Sequence, residues 1–205
     1  MAGAEPIEAD VKAWEPWTPA EIAELLAGVD AHWCVVGGWA LDLFIGERTR
    51  AHGDLEIAVP REEFGSVREA LAGYEFLVVG DGKLWPLDVS EDQFRKHHQT
   101  WVRDPATMTW KVDVMREPGG GDTWIWRRDE RIRRPYAEVV LRTADGIPFM
   151  RPELALLFKA RDPREKDDAD FSRAAPLLPP DDRTWLAETV AGLYGETHRW
   201  LDTLR

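Results

Sequence analysis

Two consecutive glycines follow an apolar run and precede a helical pattern, and that order predicts a strand–turn–helix unit. The run Trp-Cys-Val-Val at 33–36 predicts a short buried strand, and the periodicity over 39–45 predicts a helix. Gly37 and Gly38 lie between them, where glycine gives the backbone unusual freedom to turn. A second strand is predicted over 54–59, so we expect a mixed sheet flanked by helices.

The glycine pair also suits a phosphate cradle. Glycine lets the backbone approach a ligand closely, and the N-terminus of the following helix offers free N–H groups and a positive dipole end. The pair lacks the spacing of a dinucleotide fingerprint, and no Gly-Lys-Ser/Thr follows, so it is not a Walker A loop. A plain tight turn is the alternative interpretation of Gly37 and Gly38.

Two acids lie on the predicted strand over 54–59. Asp54 and Glu56 are two positions apart, so they share one face of the strand, roughly 6–7 Å apart at the backbone. Their mutual repulsion is roughly 2–3 kcal/mol at an effective dielectric constant of about 20. A solvated surface tolerates that cost, whereas a recessed site requires a compensating cation.

A third acid has a matching position on another predicted strand. Asp113 lies between Val112 and Val114, which are expected to face the core, so the carboxylate points the other way. If this strand neighbours the first, three carboxylates converge. Oxygen ligands without histidine or cysteine suit Mg²⁺, and two such ions can activate a hydroxyl and hold a leaving phosphate.

Charge and cysteine content exclude several classes of protein. The 205 residues carry a net charge of −12 and one cysteine, so a disulfide framework and a cysteine metal cluster are excluded. No apolar run is long enough for a membrane span, and the acidic N-terminus is not a signal peptide, so we expect a cytoplasmic protein. Binding of nucleic acid to this acidic chain would require a local basic patch, whereas the overall negative electrostatic field attracts cationic small molecules.

The chain divides into a mixed part and a helical part. Residues 1–150 are predicted to form an α/β core, in which Thr18 caps the first helix. Residues 80–98 mix glycine, proline and charges and give no clear prediction. Residues 151–205 are predicted to form a helical part packed on that core, with helices over 152–161, 165–175, 182–193 and 196–204.

With these features together, the chain resembles the nucleotidyltransferase superfamily that includes DNA polymerase beta. The segment GGWALDLFIGERTRAHGDLEI at 37–57 is similar to that of the aminoglycoside and lincosamide nucleotidyltransferases and their relatives. The segment GIPFMRPELALLFKARDPREKDDADF at 146–171 resembles a later segment of these relatives and of toxin nucleotidyltransferases. The resemblance implies an α+β nucleotidyltransferase fold, with a mixed β-sheet flanked by helices and a helical C-terminal part.

The resemblance also implies roles for individual residues. Asp54, Glu56 and Asp113 would bind Mg²⁺, and Asp113 could instead accept the proton of the acceptor hydroxyl as a general base. Residues implied to bind the nucleoside triphosphate are Gly37, Gly38, Arg50, Lys159 and Lys166. Glu56 stands where the antibiotic-modifying members usually have Asp. Because its side chain is longer, the alternative that this chain is a catalytically inactive descendant stays open.

Three further groups have both a functional and a structural interpretation. Arg50 could bind a phosphate or form a surface salt bridge, and His52 could shape the loop before Asp54. The basic segment 124–134 could hold a nucleotide or an RNA end, with Trp124 or Trp126 stacking on a base, or could be a solvated charged segment.

The sequence therefore predicts a Mg²⁺-dependent nucleotidyltransferase that uses ATP or another nucleoside triphosphate. It would transfer NMP, and specifically AMP from ATP, to a hydroxyl of a small molecule such as an aminoglycoside-like antibiotic, and release pyrophosphate. One alternative is a toxin-like transferase acting on tRNA or protein, because a tRNA end is not excluded. The other is an inactive nucleotide-binding module. The oligomeric state stays open.

Overall fold

A computed structural model describes residues 5–205 of the chain. Residues 1–4 lie outside the described residues. The predicted α/β core over 1–150 begins there, and so does the N-terminal stretch that was predicted not to be a signal peptide. The chain combines one large mixed sheet, one small sheet and helices, which confirms the predicted α+β class. Within the described residues the strands are β1 (Cys34–Val35), β2 (Glu56–Pro60), β3 (Glu75–Gly80), β4 (Lys83–Pro86), β5 (Gln99–Arg103), β6 (Trp110–Glu117), β7 (Gly119–Gly120), β8 (Thr123–Ile125), β9 (Arg133–Pro135), β10 (Val140–Arg142) and β11 (Pro148–Met150).

The large sheet has eight strands in the order β10-β11-β1-β2-β6-β5-β3-β4. Two neighbouring pairs are parallel, β1 with β11 and β2 with β6, and the other neighbours are antiparallel. The small sheet has the order β7-β8-β9. Strands β2 and β6 lie at the centre of the large sheet, so the strands that carry the predicted acids are direct neighbours.

The helices of the second half pack against the glycine helix. Helix α2 contacts α5, α6 and β11, and α7 contacts α5 and α8. Over residues 5–205 the helices are α1 (Pro19–Leu25), α2 (Gly37–Ile45), α3 (Phe64–Ala70), α4 (Glu91–Lys96), α5 (Pro152–Ala160), α6 (Glu165–Ala174), α7 (Pro180–Tyr194) and α8 (Leu201–Leu204).

Local sequence signals account for the ends of α1 and α2. The Thr18 hydroxyl accepts a hydrogen bond from the Glu21 backbone N–H, and the Glu21 carboxylate accepts one from the Thr18 backbone N–H, which is the predicted capping box. Gly46 ends α2 in the left-handed conformation, at φ +89°, where other residues are strained. The prediction that Thr18 caps the first helix is confirmed.

Several predicted boundaries are wrong. Strand β2 begins at Glu56, so Asp54 lies in the preceding loop rather than on the strand. The ambiguous residues 80–98 contain β4 and α4, and the helix predicted over 196–204 shortens to α8. Strands β9 and β11 were not predicted.

The main hydrophobic core unites strands of the large sheet with helices of the second half. It includes Ile57, Val114, Leu156 and Val190, which are all fully buried. Cys34 is buried in the same core, and burial, with the nearby Glu117 charge, raises the pKa of its thiol to about 12. The division of the chain at residue 150 stays a prediction. Within residues 5–205, no helix combines the length and apolarity that crossing a bilayer requires.

Candidate active site

The parallel pairing of β2 with β6 brings two of the predicted acids together. Glu56 and Asp113 are register partners, so their side chains leave the same face of the sheet on adjacent strands. Neighbouring strands are about 4.8 Å apart, which is well within the range of strong charge interaction. Asp54 lies two residues before β2, close enough for its charge to act on both.

Asp113 is the most deeply buried of the three acids, with 3% of the residue exposed. Its Oδ2 accepts a hydrogen bond from the Gln99 amide, whereas its Oδ1 is buried without a hydrogen-bond partner. Burial, followed by the nearby Glu56 charge, raises the pKa of Asp113 well above its ordinary value. Gln99 was not predicted as a site residue, because its contact with Asp113 depends on β5 lying beside β6.

Glu56 is half-buried beside Asp113. Burial and then the Asp54 charge raise the pKa of Glu56, while the charges of Lys159, Arg127 and Lys166 act in the opposite direction. Two adjacent carboxylates with raised pKa values have a strong electrostatic demand for a cation. Either protons or a metal ion can satisfy that demand.

The donor set fits a hard divalent cation, although the three acids do not form a finished cage. Among residues 5–205, no three His, Cys, Asp or Glu side chains are close enough together to form a metal centre as they stand. Asp54 is exposed in the loop before β2, and it lines the same pocket as Glu56. The unpartnered Asp113 Oδ1 and the oxygen-only chemistry nevertheless suit Mg²⁺. Metal ligation by Asp54, Glu56 and Asp113 stays a prediction.

Each glycine of the pair is in close contact with a different part of this site. Gly37 has φ +68°, and a Cβ there would lie 1.9 Å from Glu56 Oε2. A Cβ on Gly38 would lie 2.2 Å from Arg50 Nη2 and 2.9 Å from His52 Cε1. Packing alone therefore requires both glycines, so their presence does not by itself indicate a phosphate.

A polar pocket collects most of the residues predicted to be functional. It has a volume of about 100 Å³, and Val36, Trp39, His52 and Arg164 also line it. Six of the eight predicted residues line this pocket, namely Gly38, Arg50, Asp54, Glu56, Lys159 and Lys166. Gly37 lines the adjoining cleft, and Asp113 lines neither cavity.

Three cations of the pocket, Arg50, Lys159 and Arg164, already pair with carboxylates of α6. Arg50 donates from Nε and Nη2 to the two oxygens of Asp170, at 2.9 and 3.0 Å. Lys159 lies 2.8 Å from Asp167 and 3.0 Å from Asp170. Burial raises the pKa of Asp170, but its bonds with Arg50 and the Lys159 charge more than compensate, and the net shift is downward. Lys166 is exposed at the rim.

A larger cleft adjoins the polar pocket at Glu56. Its volume is about 360 Å³, and both cavities are lined by Val36, Glu56, Lys159 and Arg164. Its apolar lining consists of Val36, Met115, Met150, Ala155 and Phe158. The Arg127 guanidinium lies 4.6 Å from the Phe158 ring centroid, and Arg128 donates to the Phe158 carbonyl at 2.6 Å.

The basic segment 124–134 is divided between the cleft and other partners. Trp124 and Trp126 are each 1% exposed and pack against Phe158, so the predicted stacking of either ring on a base is wrong. Arg134 pairs with the buried Glu153 at 2.8 Å. Of the segment, only Arg127 and Arg128 line the cleft.

His52 shapes the loop before Asp54, as predicted. Its Nε2 lies 2.6 Å from Asp42 Oδ2, and its ring stacks on Trp39 with centroids 4.2 Å apart. The role of Asp42 was not predicted, because an acid inside an apolar helical pattern gives no indication of its partner.

Comparison with known proteins gives one family match. A family model for aminoglycoside-2''-adenylyltransferase matches residues 20–120, which include the glycine pair and all three acids. No curated protein matches the chain.

Solved structures with a similar fold include antibiotic-modifying adenylyltransferases. The lincosamide adenylyltransferase LnuA with bound lincomycin has a TM-score of 0.53 at 18% identity, over 78% of this chain and 95% of that one. ANT(2'')-Ia in complex with adenylyl-2''-tobramycin has a TM-score of 0.57 at 15% identity, over 86% of this chain and 98% of that one. The solution structure of ANT(2'')-Ia has a TM-score of 0.52 at 17% identity, over 86% and 92%. At these identities the structural likeness shows the fold, and together with the family match it confirms the predicted resemblance.

Proposed function

We propose that this chain, a nucleotidyltransferase that resembles the aminoglycoside and lincosamide enzymes, transfers AMP from ATP to a hydroxyl of a small molecule and releases pyrophosphate. One observation carries the proposal. Glu56 and Asp113 are register partners on neighbouring parallel strands, beside a pocket lined by four cationic side chains. Carboxylates next to cations suit a metal-bound triphosphate, since the acids bind the metal and the cations bind the phosphates.

Asp54, Glu56 and Asp113 would hold Mg²⁺. When bound there, the ion would make the acceptor hydroxyl more acidic and neutralise charge on the leaving pyrophosphate. The buried, unpartnered Asp113 Oδ1 and the raised pKa values of Glu56 and Asp113 support this assignment. Asp113 is also suited to take the hydroxyl proton, because its raised pKa makes it a stronger base than an ordinary aspartate.

The polar pocket would take the phosphates. Its volume of about 100 Å³ is too small for a whole nucleotide, and its lining is almost entirely polar. Lys166 is available at the rim, whereas Arg50 and Lys159 would share their donors between the phosphates and the acids of α6. Gly38, at the start of α2, lines the same pocket.

The adjoining cleft would take the acceptor. It meets the polar pocket at Glu56, so a hydroxyl in the cleft and a phosphate in the pocket would approach the same acid, Glu56. The family match supports an antibiotic as acceptor, and the net charge of −12 supports a cationic one such as an aminoglycoside.

The alternatives make different demands on the same residues. A transferase acting on tRNA or protein needs a continuous basic groove, but Arg134 is paired with Glu153. An inactive binding module has no need for adjacent acids, yet Glu56 and Asp113 are register partners. Neither alternative gains a supporting observation.

The test is calorimetric titration of ATP, GTP and CTP with and without Mg²⁺. Wild type is compared with Asp54→Ala, and with Asp202→Ala as a control, since Asp202 is an exposed acid of α8. We expect Mg²⁺-dependent ATP binding that Asp54→Ala weakens and Asp202→Ala leaves unchanged. Pyrophosphate release is then measured with aminoglycosides and lincosamides as acceptors.

Two results would reject the proposal. Nucleotide binding that needs no metal and survives Asp54→Ala would identify a binding module. No binding of any nucleoside triphosphate would leave the fold without this activity.

A further inference from the structure

The loop that carries Asp54 is fixed to α2 by a single buried carboxylate. Asp42 is 3% exposed, and both of its oxygens bond to loop residues. Oδ1 accepts from the Thr49 hydroxyl at 2.6 Å, and Oδ2 lies 2.6 Å from His52 Nε2. Because the two partners are three positions apart, Asp42 fixes the path of the loop between them.

The His52 ring is held on a second side by the first turn of α2. Its side chain is 3% exposed, and the ring stacks on Trp39 with 23° between the planes. Gly38 lies against the same ring, since a Cβ on Gly38 would be 2.9 Å from His52 Cε1. The imidazole is therefore fixed by a charged hydrogen-bond partner, an aromatic face and a glycine.

Within residues 5–205, no hydrogen bond or ion pair holds the Asp54 side chain in this way. It is exposed, and it stands between His52, two residues earlier, and the fully buried Leu55. Its position therefore depends on where the loop is held. Helix α2 begins at Gly37, whose backbone touches the Glu56 carboxylate, so Asp42 links the Asp54 loop to the helix that contacts the second acid.

We propose that Asp42 and His52 are positioning residues that set Asp54 against Glu56 by fixing residues 46–55 to α2. The change in kcat that this proposal predicts rests on the proposed function. The structural consequence, a loop that loosens without the pair, does not depend on any activity.

The experiment compares His52→Ala, His52→Gln and wild type. For His52→Ala we expect kcat to fall about tenfold to a hundredfold, because small misplacements of a reacting group have effects of that size. KM for ATP is expected to rise by less than kcat falls, since the phosphate contacts proposed for Lys159 and Lys166 do not depend on the loop. His52→Gln can still donate to Asp42 and is expected to recover most of the loss.

Two readouts do not require turnover. Hydrogen–deuterium exchange of residues 46–55 is expected to accelerate in His52→Ala, and Mn²⁺ titration followed by electron paramagnetic resonance is expected to show weaker metal binding. Thr49→Val removes only one bond to Asp42 and gives a second, milder variant if His52→Ala does not fold.

The matched control is Glu153→Gln. Glu153 is, like Asp42, a buried acid with side-chain partners, here Arg134 and Arg151, but it lines neither cavity. If His52→Ala loses no more activity per folded molecule than Glu153→Gln, and loop exchange stays at the wild-type rate, the proposal is wrong. If wild type binds no ATP, the proposed function fails, while loop exchange alone still decides whether the pair holds the loop.

Discussion

Gly37 is the residue at which the main chain touches the acid pair. Its φ of +68° is unfavourable for other residues, and the position that a Cβ would take is already occupied by Glu56 Oε2. An alanine there must therefore displace the Glu56 carboxylate. Gly37 therefore leaves space for the Glu56 carboxylate, whether or not it also contacts a phosphate.

We expect Gly37→Ala to weaken Mg²⁺-dependent ATP binding because Glu56 is pushed away from Asp113. Unfolding free energy is expected to fall by about 1–2 kcal/mol from the left-handed backbone alone. Calorimetry measures the binding and thermal denaturation measures the stability.

Gly46→Ala separates these two effects. Gly46 has φ +89°, but a Cβ there would meet nothing within 4 Å. The variant is expected to lose similar stability and to bind ATP like wild type. Equal binding loss in both variants would show that backbone strain, rather than Glu56, is responsible.

The glycine pair shows how much of the role of a single residue can be predicted from the sequence. The sequence indicated a turn, a helix start and a phosphate site. The helix is present, but the two glycines are its first residues rather than a turn before it. The sequence could not indicate the contacts with Glu56, Arg50 and His52, because these join positions far apart along the chain. Close approach depends on the complete fold.

At the scale of elements, the acid strands were recognisable but their adjacency was not. Alternating apolar residues predicted β2 and β6, whereas only the family resemblance indicated that they are neighbours. Between them along the chain lie β3, β4 and β5, and β4 falls in a stretch with no clear pattern. Pairing at this separation is set by the sheet as a whole, so local periodicity cannot reveal it.

Helix α6 is joined to the Asp54 loop and to α5 by charge. Asp170 is almost fully buried and pairs with both Arg50 and Lys159, so its removal leaves Arg50 without its carboxylate and Lys159 with Asp167 alone. We expect Asp170→Ala to lower the unfolding free energy by about 3 kcal/mol. Urea denaturation measures the change.

Glu196→Ala provides the comparison. Glu196 pairs with Arg205, and both side chains are largely exposed. Its removal is expected to cost less than about 1 kcal/mol. A small effect of Asp170→Ala, similar to that of Glu196→Ala, would mean that the buried network does not hold α6 in place.

At the scale of the whole molecule, a chain of net charge −12 contains a local concentration of arginines around His98. Burial, then the charges of Arg127, Arg116 and Arg61, lowers the pKa of His98 to about 4 from its ordinary value of 6.5. Between these two pH values the unfolded chain binds a proton that the folded chain does not.

The contribution of His98 to stability is therefore fully present above pH 6.5 and is lost as the pH falls to about 4. The loss amounts to at most about 3 kcal/mol. His98→Gln is expected to flatten the pH dependence of the unfolding free energy in this window. Parallel curves for wild type and variant, measured by urea denaturation at several pH values, would contradict the assignment.

The thiol of Cys34 has a practical consequence. It is the chain's one cysteine, it is buried in the core, and its pKa is raised to about 12, so it stays protonated and shielded from reagents at neutral pH. A cysteine introduced at exposed Arg161, on the wall of the cleft, would be the only reactive thiol. A single maleimide dye at that position would report ligand binding in the cleft, with the native cysteine left in place.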